Sequence, residues 1–194
     1  MIERYHRSVQ GRMGLFQDQS PLGRTIYGLA KLMALAGGIV LVGPVVMVVI
    51  SVTGRALLWA GLRPIRGDYE LVEAGIGFAV FAFLPWAHLE RGHAIVTIVT
   101  DRFGPLVNRW ILVITDIMML AAAGFIAWRL YDGMLDKFRY NETTLLLRMP
   151  LGWTYAAGLV GAVVFFAVAL YVLGRSVSNA LAGRSELQSS GADL

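Results

Sequence analysis

The sequence predicts an all-α membrane protein with four transmembrane helices. Hydrophobic residues make up 57% of the 194-residue chain and charged residues only 15%, and most charges lie between four long apolar runs. A soluble domain of this size cannot cover that much apolar surface with so few charges. An apolar helix of about 20 residues crosses the ~30 Å hydrocarbon core of a bilayer, so each run is long enough to form a span.

A transmembrane domain is predicted over residues 27–174, and its four spans cover residues 27–52, 71–89, 111–128 and 153–173. At ~1.5 Å per residue the first span is longer than the bilayer requires, so we expect it to tilt or to bend at Pro44. Glu73 lies near the start of the second span and Asp116 interrupts the third, whereas the fourth carries no charge.

The remaining segments are predicted to be two tails, over residues 1–26 and 175–194. The first apolar run is longer than the ~7–15-residue core of a signal peptide, so we expect it to be retained. If the N-terminus is inside, ten Lys and Arg residues lie on the cytoplasmic side and seven on the other. Because cytoplasmic flanks carry the excess of basic residues, both termini are predicted to be cytoplasmic.

The connections between spans contain further helix signals. Residues 94–103 favour a short interfacial helix, because three apolar side chains recur on one helical face: Ile95, Val99 and Phe103. Pro105 suits the first turn of the third helix and Pro150 that of the fourth. Trp153 is typical of the aromatic belt at a membrane surface.

Small residues recur four positions apart in every span. In lipid such residues let helix backbones approach, because apolar burial alone does not drive helices together there. The spacing therefore predicts packing stripes, either inside the bundle or against another protein. The residues are Ala30, Ala34 and Gly38 in the first span, Gly75 and Ala79 in the second, Ala123 and Ala127 in the third, and Ala157 and Gly161 in the fourth.

Composition excludes several kinds of site. The chain has no Cys, so disulfides, thiolate catalysis, iron–sulfur clusters and cysteine-type zinc sites are excluded. The net charge is +4, but the basic residues flank the apolar runs and form no dense patch, so no nucleic-acid partner is predicted. No catalytic, cofactor-binding or metal-ligating residue is predicted either.

Asp116 is the most notable charge inside a span. A charge at the bilayer centre costs at least ~2.5–3.5 kcal/mol, so such a residue normally marks a functional site. If the third helix enters the membrane at Trp110, however, Asp116 lies only ~9 Å deep, within reach of interfacial water or a neighbouring Arg. We therefore favour a helix-packing role over an ion pathway.

Glu70 and Glu73 open the second span, after Asp68 as its expected N-cap. Acidic groups in a first helical turn complement the positive end of the helix dipole. The same carboxylates could instead bind an Arg of a partner chain, and the sequence leaves both interpretations open.

Histidines raise the question of haem. A bis-histidine haem needs two imidazoles that face each other inside a bundle. The chain has three His residues, and only His88 and His93 lie near a span. The sequence therefore does not favour haem binding.

Three motifs, in this order along four spans, resemble the small membrane subunit (DctQ-like) of TRAP transporters, the tripartite ATP-independent periplasmic family. They are Glu70-Leu71-Val72-Glu73, Arg91-Gly92-His93-Ala94-Ile95-Val96 and Met149-Pro150-Leu151-Gly152-Trp153-Thr154-Tyr155. The resemblance covers residues 25–180. The candidate partner-contact or helix-end residues are Glu70, Glu73, Arg91, His93, Asp116, Pro150 and Trp153.

The resemblance implies a chain without catalytic activity or cofactor, in the cytoplasmic (inner) membrane of a bacterium or archaeon. Its partners would be a large TRAP membrane subunit, an extracytoplasmic solute-binding receptor and membrane lipid. The large subunit would hold the sites for an organic acid and for a coupling ion, expected to be sodium. The small subunit would brace it and contribute to docking of the receptor.

Two other hypotheses stay open at this point. The chain could anchor a haem or quinone respiratory complex, in which case His88→Ala would abolish a Soret band. It could also be a self-sufficient carrier that assembles around Asp116, in which case Asp116→Asn would abolish transport by this chain alone.

Overall fold

The computed structural model describes residues 21–90 and 105–181. This part of the chain forms four long helices, α1 (Pro21–Ala56), α2 (Asp68–Leu89), α3 (Pro105–Arg139) and α4 (Leu151–Leu181), with a 3-10 turn at Leu58–Ala60. All four helices are long and apolar enough to cross a membrane. The predicted all-α fold with four transmembrane helices is therefore confirmed. The predicted interfacial helix over residues 94–103 lies outside the described residues, as do Arg91 and His93.

The helices extend beyond the apolar runs that predicted them. The third helix begins at Pro105 and continues to Arg139, eleven residues past the end of its apolar run at residue 128. Hydropathy marks the hydrocarbon layer, whereas backbone hydrogen bonding continues into the polar flanks. The first helix runs through Pro44 without interruption.

α2 and α4 form the centre of the bundle. α1 packs on α2, α2 packs on α4, and α4 packs on α3, while α1 reaches α4 to a smaller extent. Two apolar clusters lie along α4. One joins it to α1 and α2 through Ala30, Leu89, Val168 and Val172, and the other joins it to α3 through Ala123, Phe165 and Ala169.

Glycines allow close approach at two of these helix contacts. A Cβ atom on Gly75 of α2 would lie 2.7 Å from Cγ of Pro44 in α1, and one on Gly161 of α4 would lie 2.8 Å from the backbone carbonyl of Phe81 in α2. Both distances are shorter than any van der Waals contact, so a side chain at either position would force the helices apart. These two predicted stripe residues lie in helix contacts within the chain.

Gly38 does not lie in such a contact: the predicted stripe in α1 holds at Ala30 and is displaced by one residue at its two later positions. A Cβ atom on Gly37 would lie 2.9 Å from Cβ of Ala82, whereas Gly38 faces open space. The buried residues of this face follow the spacing Ala30, Met33, Gly37. A helix has 3.6 residues per turn, so a strict spacing of four rotates away from the contact within two steps.

The two outer helices leave most of their apolar surface uncovered. In the most apolar 18-residue stretch of α1, only 11% is buried within the chain. The corresponding share is 17% for α3 and 39% for α4. In a membrane these faces meet either lipid or another protein.

Candidate functional site

Buried polar side chains are few in the described ranges, namely Ser51, His88, Asp116 and Ser176. A groove between α1 and α2 is open to one side and lined by apolar residues and glycine, among them Val40, Pro44, Met47, Leu71 and Phe78. Such a lining offers no hydrogen-bonding partner to a polar solute.

One end of the bundle, where α1 and α3 end and α2 and α4 begin, carries several polar contacts between its helices and loops. We call it the hairpin end, because residues 140–150 form a hairpin between α3 and α4. Thr144 N–H donates to the Met149 carbonyl at 2.9 Å, and Leu151 N–H donates to the Glu142 carbonyl at 2.9 Å. These two bonds close the α3–α4 hairpin just before α4 begins.

Glu70 fixes the α3–α4 hairpin to the start of α2. Its two carboxylate oxygens accept the backbone N–H groups of Leu146 at 2.7 Å and Leu147 at 2.9 Å. Hydrogen bonds to an ionised acceptor are stronger than neutral ones. From the sequence, Glu70 was expected either to cap the helix or to bind an Arg of a partner. Its contact with the hairpin was not predicted, because the two donors lie more than 70 residues further along the chain.

Asp68 joins α2 to α1. The Ser51 hydroxyl donates to one of its carboxylate oxygens at 2.5 Å, and Tyr69 N–H donates to the other at 2.8 Å. The expectation that Asp68 is the N-cap was wrong, because Gly67 holds that position with a left-handed φ of 78°. Glycine readily adopts a left-handed backbone, so Gly67 serves as the N-cap. Asp68 is then the first residue of the helix.

Glu73 is more exposed than its two acidic neighbours, Asp68 and Glu70. Its side chain is exposed on the outer face of α2, next to the exposed Tyr69, Ile76 and Val80. Five residues separate it from Asp68, which places it ~7.5 Å further along the helix axis. A carboxylate thus faces outward from an otherwise apolar helix surface.

Asp116 lies inside the bundle near the opposite end. It is 6% exposed and accepts a hydrogen bond from the equally buried Ser176 hydroxyl of α4. α3 begins at Pro105, ~16 Å before Asp116 along the helix axis, whereas its candidate membrane span begins at Trp110, which keeps Asp116 ~9 Å into that span. The carboxylate is therefore part of the α3–α4 packing.

His88 is also packed between helices. It is 3% exposed, and its ring meets that of Phe165 edge to face, with centroids 5.7 Å apart. It is the one histidine in residues 21–90 and 105–181, and His93 lies outside them. Within the same residues, no group of three or more His, Asp or Glu side chains could hold a metal ion.

Pro150 and Trp153 lie where the α3–α4 hairpin joins α4. Pro150 directly precedes α4, and its carbonyl accepts Trp153 N–H at 3.2 Å. Trp153 is 68% exposed, and its ring packs edge to face against Phe138 of α3, with centroids 5.9 Å apart. This exposed indole at a helix end fits the expected aromatic belt.

The fold and these contacts define a multi-pass membrane protein in which Asp68, Glu70 and Asp116 join its own helices and hairpin. A family model described as "Tripartite ATP-independent periplasmic transporters, DctQ component" matches residues 44–179, more than two thirds of the chain. No match was found among curated proteins or solved structures. The chain therefore belongs to the DctQ family and is a small membrane subunit of a TRAP transporter. This family membership replaces the hypothesis that the chain anchors a respiratory complex.

Proposed function

We propose that this subunit braces the large membrane subunit of the transporter and helps to dock the extracytoplasmic solute-binding receptor. The transporter would take up an organic acid coupled to an ion, for which we propose sodium. The observation that carries this proposal is that Asp68 and Asp116 are engaged between the chain's own helices, while the apolar faces of α1 and α3 are left uncovered.

The subunit itself is proposed to have no solute pathway. Transporters that bind their cargo use broken helices and polar side chains around a cavity near the bilayer midplane. Here Asp68 is bonded to Ser51 and Asp116 to Ser176, and the groove between α1 and α2 is apolar. Substrate and ion sites would then lie on the large subunit.

The outer face of α2 is proposed to contact the large subunit through Glu73. An ionised side chain that faces lipid is costly, by ~2.5–3.5 kcal/mol near the bilayer centre and by less near the surface. A basic side chain from the partner would offset that cost. The flanking Tyr69, Ile76 and Val80 are exposed and supply apolar contact area around the charge.

Orientation supports a role in docking. The basic residues favour cytoplasmic termini in an inner membrane, and this would place the hairpin end on the extracytoplasmic side, where the receptor arrives. Arg55, Arg63 and Arg66 are exposed at that end.

Co-purification of the large subunit tests the Glu73 contact. Glu73→Gln should reduce the recovery of the large subunit, because the charge is lost while the size of the side chain is kept. Asp136→Asn is the matched control, since Asp136 is exposed near the end of α3. Equal recovery with both variants would show that Glu73 does not contribute to the subunit contact.

A further inference from the structure

The tip of the α3–α4 hairpin, Leu145–Leu147, is an exposed apolar surface in its own right. Leu145 is 93% exposed and Leu146 68% exposed, and Leu147 follows at 38%. Three consecutive exposed leucines are unusual in a loop, because connecting segments are normally polar and a contiguous apolar patch marks an interaction site. We propose that this tip anchors the subunit in the surface of the lipid bilayer, with Arg148 at the phosphates of the headgroups.

The tip is held in place by the rest of the hairpin end. Glu70 accepts the N–H groups of Leu146 and Leu147, and Met149 N–H donates to the Thr144 hydroxyl at 3.0 Å. The Leu147 side chain covers Gly67, where a Cβ atom would lie 2.6 Å from its Cγ. The backbone of the tip is therefore fixed, and Leu145 cannot turn inward without breaking these contacts.

The depth of the tip favours lipid over a soluble partner. Glu70, which binds the tip, is two residues from Asp68, and Asp68 is bonded to Ser51 of α1. Ser51 lies five residues before the end of α1, ~7.5 Å below it. Around that level α1 exposes Val49, Ile50 and Val52, an apolar surface that suits the hydrocarbon layer. A soluble receptor would meet the 3-10 turn after α1 before it reached the tip.

The charges around the tip fit a phosphate surface. Three carboxylates at the hairpin end are engaged in contacts within the chain: Asp68 with Ser51, Glu70 with the tip itself, and Glu142 with Lys137 at 2.5 Å. Arg148, next to the tip, is exposed. An Arg beside exposed leucines can place its stem along the acyl boundary and its guanidinium at a phosphate.

Spin labelling tests the proposal directly. The chain has no Cys, so Leu145→Cys carries a single nitroxide label without background. The labelled subunit would be assembled with its large subunit in liposomes of phosphatidylethanolamine and phosphatidylglycerol. Collision rates with oxygen, which concentrates in lipid, would be compared with those of a water-soluble nickel chelate. Ala60→Cys, exposed in the 3-10 turn, is the matched control.

We expect oxygen collisions to dominate at position 145 and nickel collisions to dominate at position 60, so that the two ratios differ several-fold. Two other results would overturn the proposal. A label at position 145 that meets nickel until the receptor is added would make the tip a receptor contact. A label that is shielded from both reagents without receptor would place the tip against the large subunit.

Discussion

The Glu70 carboxylate at the start of α2 accepts a hydrogen bond from the backbone N–H of Leu147, 77 residues away in sequence. This bond and its neighbour from Leu146 connect the α1–α2 half of the bundle to the connection between α3 and α4. Together with the Ser51–Asp68 bond they hold one end of four helices in a fixed relation. A subunit that braces a moving partner needs such a rigid end.

Glu70→Gln should loosen the α3–α4 hairpin. The neutral amide has one acceptor oxygen where the carboxylate has two, and its hydrogen bonds are weaker. Amide hydrogen exchange at Leu146 and Leu147 should become faster in the purified subunit. Glu73→Gln, one turn further along the same helix, should leave exchange in the hairpin unchanged. Unchanged exchange in the Glu70 variant would show that the carboxylate does not hold the hairpin.

The Asp116–Ser176 bond should stabilise the contact between α3 and α4. Interhelical hydrogen bonds in membrane proteins contribute ~0.6–2 kcal/mol. Ser176→Ala should lower the stability of the subunit in detergent by an amount in that range, while Ser178→Ala, which changes an exposed side chain, should have little effect. A double-mutant cycle with Asp116→Asn measures the pair directly. Strictly additive losses would mean that the two side chains do not interact.

Gly161 should not tolerate even one methyl group. A Cβ atom there would lie 2.8 Å from the backbone of Phe81, and a helix backbone cannot move away as a flexible side chain can. Gly161→Ala should destabilise the fold by ~1–3 kcal/mol, the usual cost of overpacking. Gly77→Ala is the matched control, because a Cβ atom at Gly77 meets open space and alanine favours a helix. Equal thermal stability of the two variants would contradict the close contact between α2 and α4.

The spans could be predicted because hydropathy reports directly on the hydrocarbon layer. The contacts of Gly75 and Gly161 could be predicted because close helix contacts need small residues. The spacing pattern placed the α1 contact at Gly38 and not at Gly37, since spacing alone does not fix the rotation of a helix. The role of Glu70 could not be predicted, because its partners are backbone amides far along the chain. Every residue except proline has such an amide, so no residue type marks the contact.

The family resemblance stated from three motifs is confirmed by the match over residues 44–179. Individual roles within those motifs are less accessible to sequence. Glu73 remains a proposed subunit contact. Pro150 and Trp153 lie where the α3–α4 hairpin joins α4, and a contact with a partner chain stays a prediction for both. Arg91 and His93 lie outside the described residues, so their predicted roles stay predictions.

Transport by reconstituted components tests the central claim, that this subunit braces a transporter and does not itself move solute. Purified subunit alone in liposomes should show no uptake of a labelled organic acid, with or without a sodium gradient. Addition of the large membrane subunit and the receptor should restore uptake. Accumulation of the acid by the small subunit alone would contradict the account.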